Sequence, residues 1–355
     1  MTARALMAPF GRGAAAAGPL LPLGLAVAGV AGAFAVAALL VLSSGKNPLV
    51  AYWSLAAGAL GSWDRVAIGL NKATPLLLTA VGVALCFRAN VVNIGGEGQI
   101  AVGGLAATWV ALAFPKTPAP VVIPLAIVAG AVAGAGWAGL AAVVRLTRGV
   151  HEVIVTLLLN FVGVLLVGEA LHGSLGESGA GFPQSPLFPP ETWLPRLLPG
   201  TDLHVGILVA LAAVAAGHLL LWRTPFGFRL RLLGASPSAA TYAGVSLPRS
   251  FVSVMAIAGA LAGLAGALEV LGVHYRLIEG FSHGFGFNAV AVALLGALTP
   301  LGVLPAALFF GFLETGAQAM QRAMAVPSPL VGVIQGLTLV FVLCAMALGG
   351  RRRRV

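Results

Sequence analysis

The hydrophobic positions of this chain fall in long unbroken runs, separated by short polar breaks. Each run covers roughly 18 to 25 residues, enough for a helix to cross about 30 Å of hydrocarbon. The runs are continuous and do not alternate every second residue, which predicts helices; barrel strands would alternate apolar and polar residues with a period of two. They lie at about 20–42, 66–87, 94–113, 121–144, 153–172, 204–222, 251–271, 286–298, 302–320 and 330–348. The expected fold is an all-α polytopic membrane protein of about ten transmembrane segments. The run at 286–298 is too short to cross alone. It ends at Thr299-Pro300-Leu301-Gly302, and the next run rises straight after it. These two predict a broken or re-entrant pair, which needs protein or a wet cavity around its irregular backbone.

Composition narrows the class. Apolar residues make up 59% of the 355 and charged residues 8%, against about 25% charged in soluble domains. The net charge of +10 is spread over the ends of apolar runs and a terminal cluster, Arg351 to Arg354, with no basic face interleaved with aromatics. That distribution suits membrane topology and argues against nucleic acid as a partner. Cys86 and Cys344 both sit inside apolar runs without metal-ligand spacing, so packed small side chains are expected, with no metal site. The first run follows Arg4 and Arg12 and is longer than the 7–15-residue core of a signal peptide, so it reads as a retained span.

An even number of spans with the N-terminus inside places Arg4, Arg12, Arg88, Arg145, Arg148, Arg223, Arg229, Arg231, Arg249 and the terminal cluster in the cytoplasm. Lys46, Arg65, Lys116, Arg196, Arg276 and Arg322 fall on the other side, and Lys72 falls within a span. The positive-inside rule therefore predicts both termini in the cytoplasm. The expected division is a cytoplasmic N-terminus over 1–19, one membrane domain over 20–348, and a basic cytoplasmic tail over 349–355. An outer loop over about 173–203 is rich in Pro, Ser and Gly. A basic cytoplasmic loop over about 223–249 predicts a short helix after Pro237, from Ser238 to Ala243, and offers a docking surface. Gly130 with Gly134 and Gly259 with Gly263 form GxxxG pairs, which let helix backbones approach closely.

Three stretches carry the candidate chemistry. The first runs from Arg88 to Gln99 and sets Arg88, Asn90, Asn93, Glu97 and Gln99 among three glycines between two apolar runs. An acid at membrane depth is costly, so Glu97 is a candidate for a cavity or gate; a structural pair between Arg88 and Glu97 is the bland alternative. In the second, Glu152, Thr156 and Asn160 are spaced four apart and form one polar stripe on a helix, for a cavity or for interhelical hydrogen bonds. In the third, His283 to Asn288, Phe285 and Asn288 open the short run and suit a polar, ring-bearing or hydroxylated ligand, or else an interfacial aromatic belt. Glu314, Gln318 and Gln321 could line an outer mouth or a solvated helix end. No G-x-x-x-x-G-K-[ST] occurs, the one Gly45-Lys46 pair being followed by Asn47, so the chain has no phosphate loop of its own. H-E-x-x-H, G-x-S-x-G and C-x-x-C are absent as well.

Four stretches in order, NKATPLLLTAVGVALCFRANVVNIGGEGQIAVGG, HEVIVTLLLNFVG, RLLGASPSAATYAGVS and GFGFNAVAVALLGALTPLGVLPAALFFGFLETGAQAMQ, resemble the permease subunits of ABC importers in the branched-chain amino acid and simple-sugar group. The FRA…NIG.EGQ stretch is most similar to the nucleoside-type branch. The resemblance implies a type II importer-like bundle in the bacterial inner membrane. It also implies an ABC ATP-binding partner, a second permease that is often a distinct paralogue, and an extracytoplasmic substrate-binding lipoprotein. ATP would be bound by partner subunits, with no cofactor on this chain. Substrate, a nucleoside or simple sugar, would pass Arg88, Asn90, Asn93, Glu97, Gln99, Thr156, Asn160, Phe285 and Asn288. Gly234, Ala235, Ser236, Pro237, Ser238, Ala239, Tyr242 and Gly244 would form the coupling element facing the ATPase. This chain reads Ser236-Pro237-Ser238 where relatives more often have Asn-Pro and an acid, and His151 where Asn is commoner. A stand-alone transporter or channel driven by an ion gradient is the alternative, with Glu97 its one fair candidate for ion coupling. An intramembrane transferase would need a catalytic loop that 173–203 does not offer.

Overall fold

A computed structural model describes the backbone of residues 20–324, 332–341 and 344. The terminal segments at 1–19 and 349–355, and parts of the last expected run, lie outside the described residues. Thirteen α-helices are described: α1 (Leu20–Ser43), α2 (Pro48–Leu60), α3 (Trp63–Arg88), α4 (Gly96–Ala113), α5 (Ala119–Arg148), α6 (Glu152–His172), α7 (Gly206–Arg223), α8 (Pro225–Ala235), α9 (Pro237–Tyr242), α10 (Leu247–Glu269), α11 (Phe285–Leu295), α12 (Pro300–Met324) and α13 (Gly332–Phe341). Among the described residues β-structure amounts to two isolated bridges, Gln184 with Ile278 and Arg196 with His204.

The expected count of about ten crossings is not confirmed among the described residues. Six helices, α3, α5, α6, α7, α10 with its π-helical extension to His274, and α12, are long and apolar enough to span a membrane. The count is up to seven if the bent pair α1–α2 is one span. That pair turns through 117° at residues 44–47 and was not foreseen. Its signal was present: Asn47 accepts a hydrogen bond from the Leu49 amide at 2.9 Å, and Pro48 opens the helix, the usual start-of-helix pairing. The short helix expected near 286–298 does occur, as the 11-residue α11.

The chain forms two compact bodies. Of the described residues, one comprises those up to 73 with those from 308 onward, and the other residues 74–307. In the first, Lys72 pairs with Glu314 at 3.4 Å, and Gln318 donates to the same carboxylate at 3.2 Å. The cation within a span and the acid expected at a mouth thus neutralise each other. In the second body, α4, α5 and α10 pack face to face through glycine. A Cβ on Gly134 would strike the Gly259 carbonyl, one on Gly263 the Gly130 carbonyl, and one on Gly103 the backbone of Gly263. The two GxxxG pairs therefore interlock with each other, and α4 closes over them. Helix α6 shows the inverted polarity of a membrane helix: Leu158, Phe161 and Leu165 face outward, whereas Thr156, Asn160 and Gly163 are buried.

Candidate functional site

Between α3 and α4 the chain unwinds over residues 89–95, beginning with Asn90 in the left-handed region (φ 59°). This segment lies inside the bundle. Asn160, eight residues into α6 and so about 12 Å along it, accepts a hydrogen bond from the Gly98 amide at 2.8 Å and donates to the Ile94 carbonyl at 2.7 Å. Asn93 accepts from the Gly95 amide at 2.9 Å and from the Gln99 amide group at 3.1 Å. Backbone that neither helix satisfies is thus satisfied by buried side-chain amides, the condition for irregular structure at that depth.

The charged ends of this segment do not pair with each other. Glu97 is buried, and its carboxylate accepts from the Ser282 hydroxyl, from the Gly284 amide at 3.0 Å and from the Gly286 amide at 2.8 Å. Those amides are the free N-terminal groups of α11, where a negative charge is favoured by the helix dipole. Arg88 donates from Nε to the Leu298 carbonyl at 2.9 Å and from a terminal nitrogen to the Ala297 carbonyl at 3.1 Å. These carbonyls form the left-handed turn (φ 52° and 55°) that ends α11. One twelve-residue segment therefore holds α11 at both ends, each by the charge its dipole favours. The approach is close: a Cβ on Gly286 would strike the backbone of Gly96 and Glu97. Phe285 is buried, Asn288 half-buried and Phe287 exposed.

The α6 stripe divides into separate tasks. Glu152 pairs with Arg145 at 3.0 Å, Thr156 bonds back to the Glu152 carbonyl at 2.8 Å, and Asn160 reaches α4. On the 223–249 loop, α8 is anchored by buried Leu230 and Leu233 and capped by Thr224, which accepts from the Gly227 amide at 3.1 Å. A Cβ on Gly234 would strike the Arg88 carbonyl, so the end of α8 rests on the end of α3. Arg88 and Arg231 both approach the Trp222 ring, at 5.7 and 4.6 Å from its centroid. The short helix foreseen after Pro237 is α9. Ser236 caps it by accepting from the Ala239 amide at 3.3 Å, and Gly244 ends it at φ 77°. Ala235, Pro237, Ser238 and Ala239 are exposed, and Tyr242 is 97% exposed.

Three features escaped the sequence. The 173–203 loop is tied by backbone hydrogen bonds to residues 271–279, from Ser185 to Leu277 at 2.8 Å, Phe188 to Tyr275 at 2.8 Å and Leu194 to Leu271 at 3.1 Å. Buried His204, at the entry to α7, accepts from the Gly206 amide at 3.1 Å, and desolvation pushes it down to about 4. Cys344 is exposed, so only Cys86 behaves as a packed small residue. Among the described residues no group of three His, Cys, Asp or Glu could hold a metal ion.

The family model for the branched-chain amino acid transport system permease component matches residues 65–343, a range that contains the unwound segment, α11 and the 223–249 loop. The chain belongs to this permease family. A glucose ABC transporter permease protein of Haloferax volcanii is 36% identical over 333 residues, covering 91% of this chain and 87% of its own. A guanosine ABC transporter permease protein of Bacillus subtilis is 35% identical over 334 residues, covering 93% and 94%. A second guanosine ABC transporter permease protein of the same bacterium is 27% identical over 262 residues, covering 69% and 79%. No solved structure matches. The permease is thus a multi-pass, non-catalytic transport subunit of an ABC system.

Proposed function

We propose that this permease forms one half of the translocation path of an ATP-driven importer for a small polar solute, a nucleoside or a simple sugar. The observation that carries the reading is the match, over nearly the whole chain, to permeases named for guanosine and for glucose. The two distinct guanosine permease proteins of one bacterium support a second, paralogous permease as partner. An ABC ATP-binding subunit supplies ATP hydrolysis, and an extracytoplasmic binding lipoprotein delivers the solute. The chain lies in the inner membrane with both termini cytoplasmic.

Within this reading the α11 region is the wall of the path. Asn93, Glu97, Gln99, Thr156 and Asn160 hold its shape, because their polar groups already bond to the chain itself. Half-buried Asn288 and exposed Phe287 present an amide and a ring to the solute, a combination suited to a nucleobase or a sugar. The coupling element is Gly234 to Gly244. Its contact with Arg88 links ATPase movement to the C-terminal end of α11, and Asn90 is the left-handed joint beside it.

The test is purification of the tagged permease from its host in mild detergent, followed by uptake measurements in vesicles. Recovery of a P-loop ATPase and a second permease, with ATP-dependent uptake of labelled guanosine or glucose, is expected. Recovery of the permease alone, with uptake driven by an ion gradient, would overturn the reading.

A further inference from the structure

Beside the coupling element lies a cleft of about 410 Å³, lined by Pro225, Phe228, Arg229 and Leu232 of α8 and by Gly244 and, in the first turn of α10, Arg249. That size lies within the roughly 300–1,000 Å³ of pockets that enclose a ligand. Its walls are built. Thr224 fixes the first turn of α8, and a Cβ on Gly227 would strike the Leu220 and Leu221 carbonyls, so α8 cannot shift there without moving α7. The other wall is set by the Ser236 cap and the left-handed Gly244.

The electrostatics of the cleft are one-sided. The stretch from Arg223 to Arg249 contains no Asp or Glu. Arg231 is committed to the Trp222 ring, whereas Arg229 and Arg249 are exposed and form no ion pair with a carboxylate among the described residues. Phe228 is 58% and Tyr242 97% exposed, and aromatics with arginine are what protein contacts concentrate.

We propose that this cleft receives an acidic side chain of the ATP-binding partner, its carboxylate bridging Arg229 and Arg249 while its stem packs on Phe228 and Leu232. The proposal rests on the importer reading above. Two guanidinium groups around one carboxylate give charge-assisted bonds that a lysine pair reproduces only in charge. The ATPase then grips the permease at two places, the exposed face of α9 and the cleft behind it, so that a pull as well as a push reaches the end of α3.

The experiment compares the complex carrying wild-type permease with R229Q/R249Q and R229K/R249K, measuring ATPase retention against increasing salt. It is run in detergent, in phosphatidylcholine vesicles and in vesicles with added phosphatidylglycerol. The glutamine pair should release the ATPase with affinity lower by about tenfold or more in all three settings, with the lysine pair between. Retention of the second permease reports that the variants are folded. Unchanged ATPase retention in the glutamine pair would overturn the cleft alone. A loss confined to phosphatidylglycerol vesicles would assign the cleft to a lipid headgroup. Failure of wild-type permease to retain any ATPase would overturn the importer reading and the cleft with it.

Discussion

The glycine seam of α4, α5 and α10 and the polar clasp around α11 share one helix, α4, yet they are held by opposite means. In the seam, backbones meet with nothing between them, and the fit of carbonyl against Cα leaves no alternative arrangement. At the clasp, a short helix is held by a carboxylate at its N-terminus and a guanidinium at its C-terminus, each on directional bonds that can be broken singly. The seam is suited to be a frame and the clasp to be a moving part. A transporter needs both, and placing both on α4 lets the moving part be referenced to the frame.

Substitutions should separate the two regions by size and kind of effect. Gly263→Leu forces a side chain into the α5 backbone and should cost about 3 kcal/mol or prevent insertion, seen as loss of folded permease after detergent extraction. Glu97→Ala leaves one hydroxyl and two amides without an acceptor at membrane depth and should cost about 2–3 kcal/mol in thermal unfolding. It should nonetheless insert, and lose uptake more than stability.

A pH scan probes a third place, His204 beneath the outer loop. Its folded value of about 4 lies below the unfolded 6.5, so its contribution is complete above pH 6.5 and is lost as pH falls toward 4. Lowering pH from 7 to 5 should cost about 2 kcal/mol, and His204→Leu should remove that dependence. Arg88→Lys keeps the charge but loses the two-carbonyl geometry, and should cost about 1 kcal/mol with a larger drop in ATP-coupled uptake.

The sequence made the clasp visible as two stretches and hid it as one site. Arg88 to Gln99 and His283 to Asn288 both stand out, because polar residues and glycines interrupt apolar runs. What joins them is a contact between residues 185 to 189 positions apart, which no periodicity records. The nearer alternative, a pair between Arg88 and Glu97, fails because each acts on a different end of a third element. The GxxxG pairs were legible as packing surfaces, but not as partners of each other. Counting apolar runs gave more candidate spans than the six or up to seven found among the described helices by length and composition. Helix α4 carries Glu97 and Gln99 and starts within the bundle, and α11 has only 11 residues.

Hydrogen exchange along α11 in folded permease carrying Glu97→Gln is the most direct measurement of the central claim, that one segment holds this helix at both ends. Weakening the N-terminal anchor should raise exchange in the first turn of α11, while Leu295, beside the turn Arg88 still holds, and the seam amides of α5 and α10 stay protected. Exchange unchanged in the first turn, or raised equally in the seam, would contradict it.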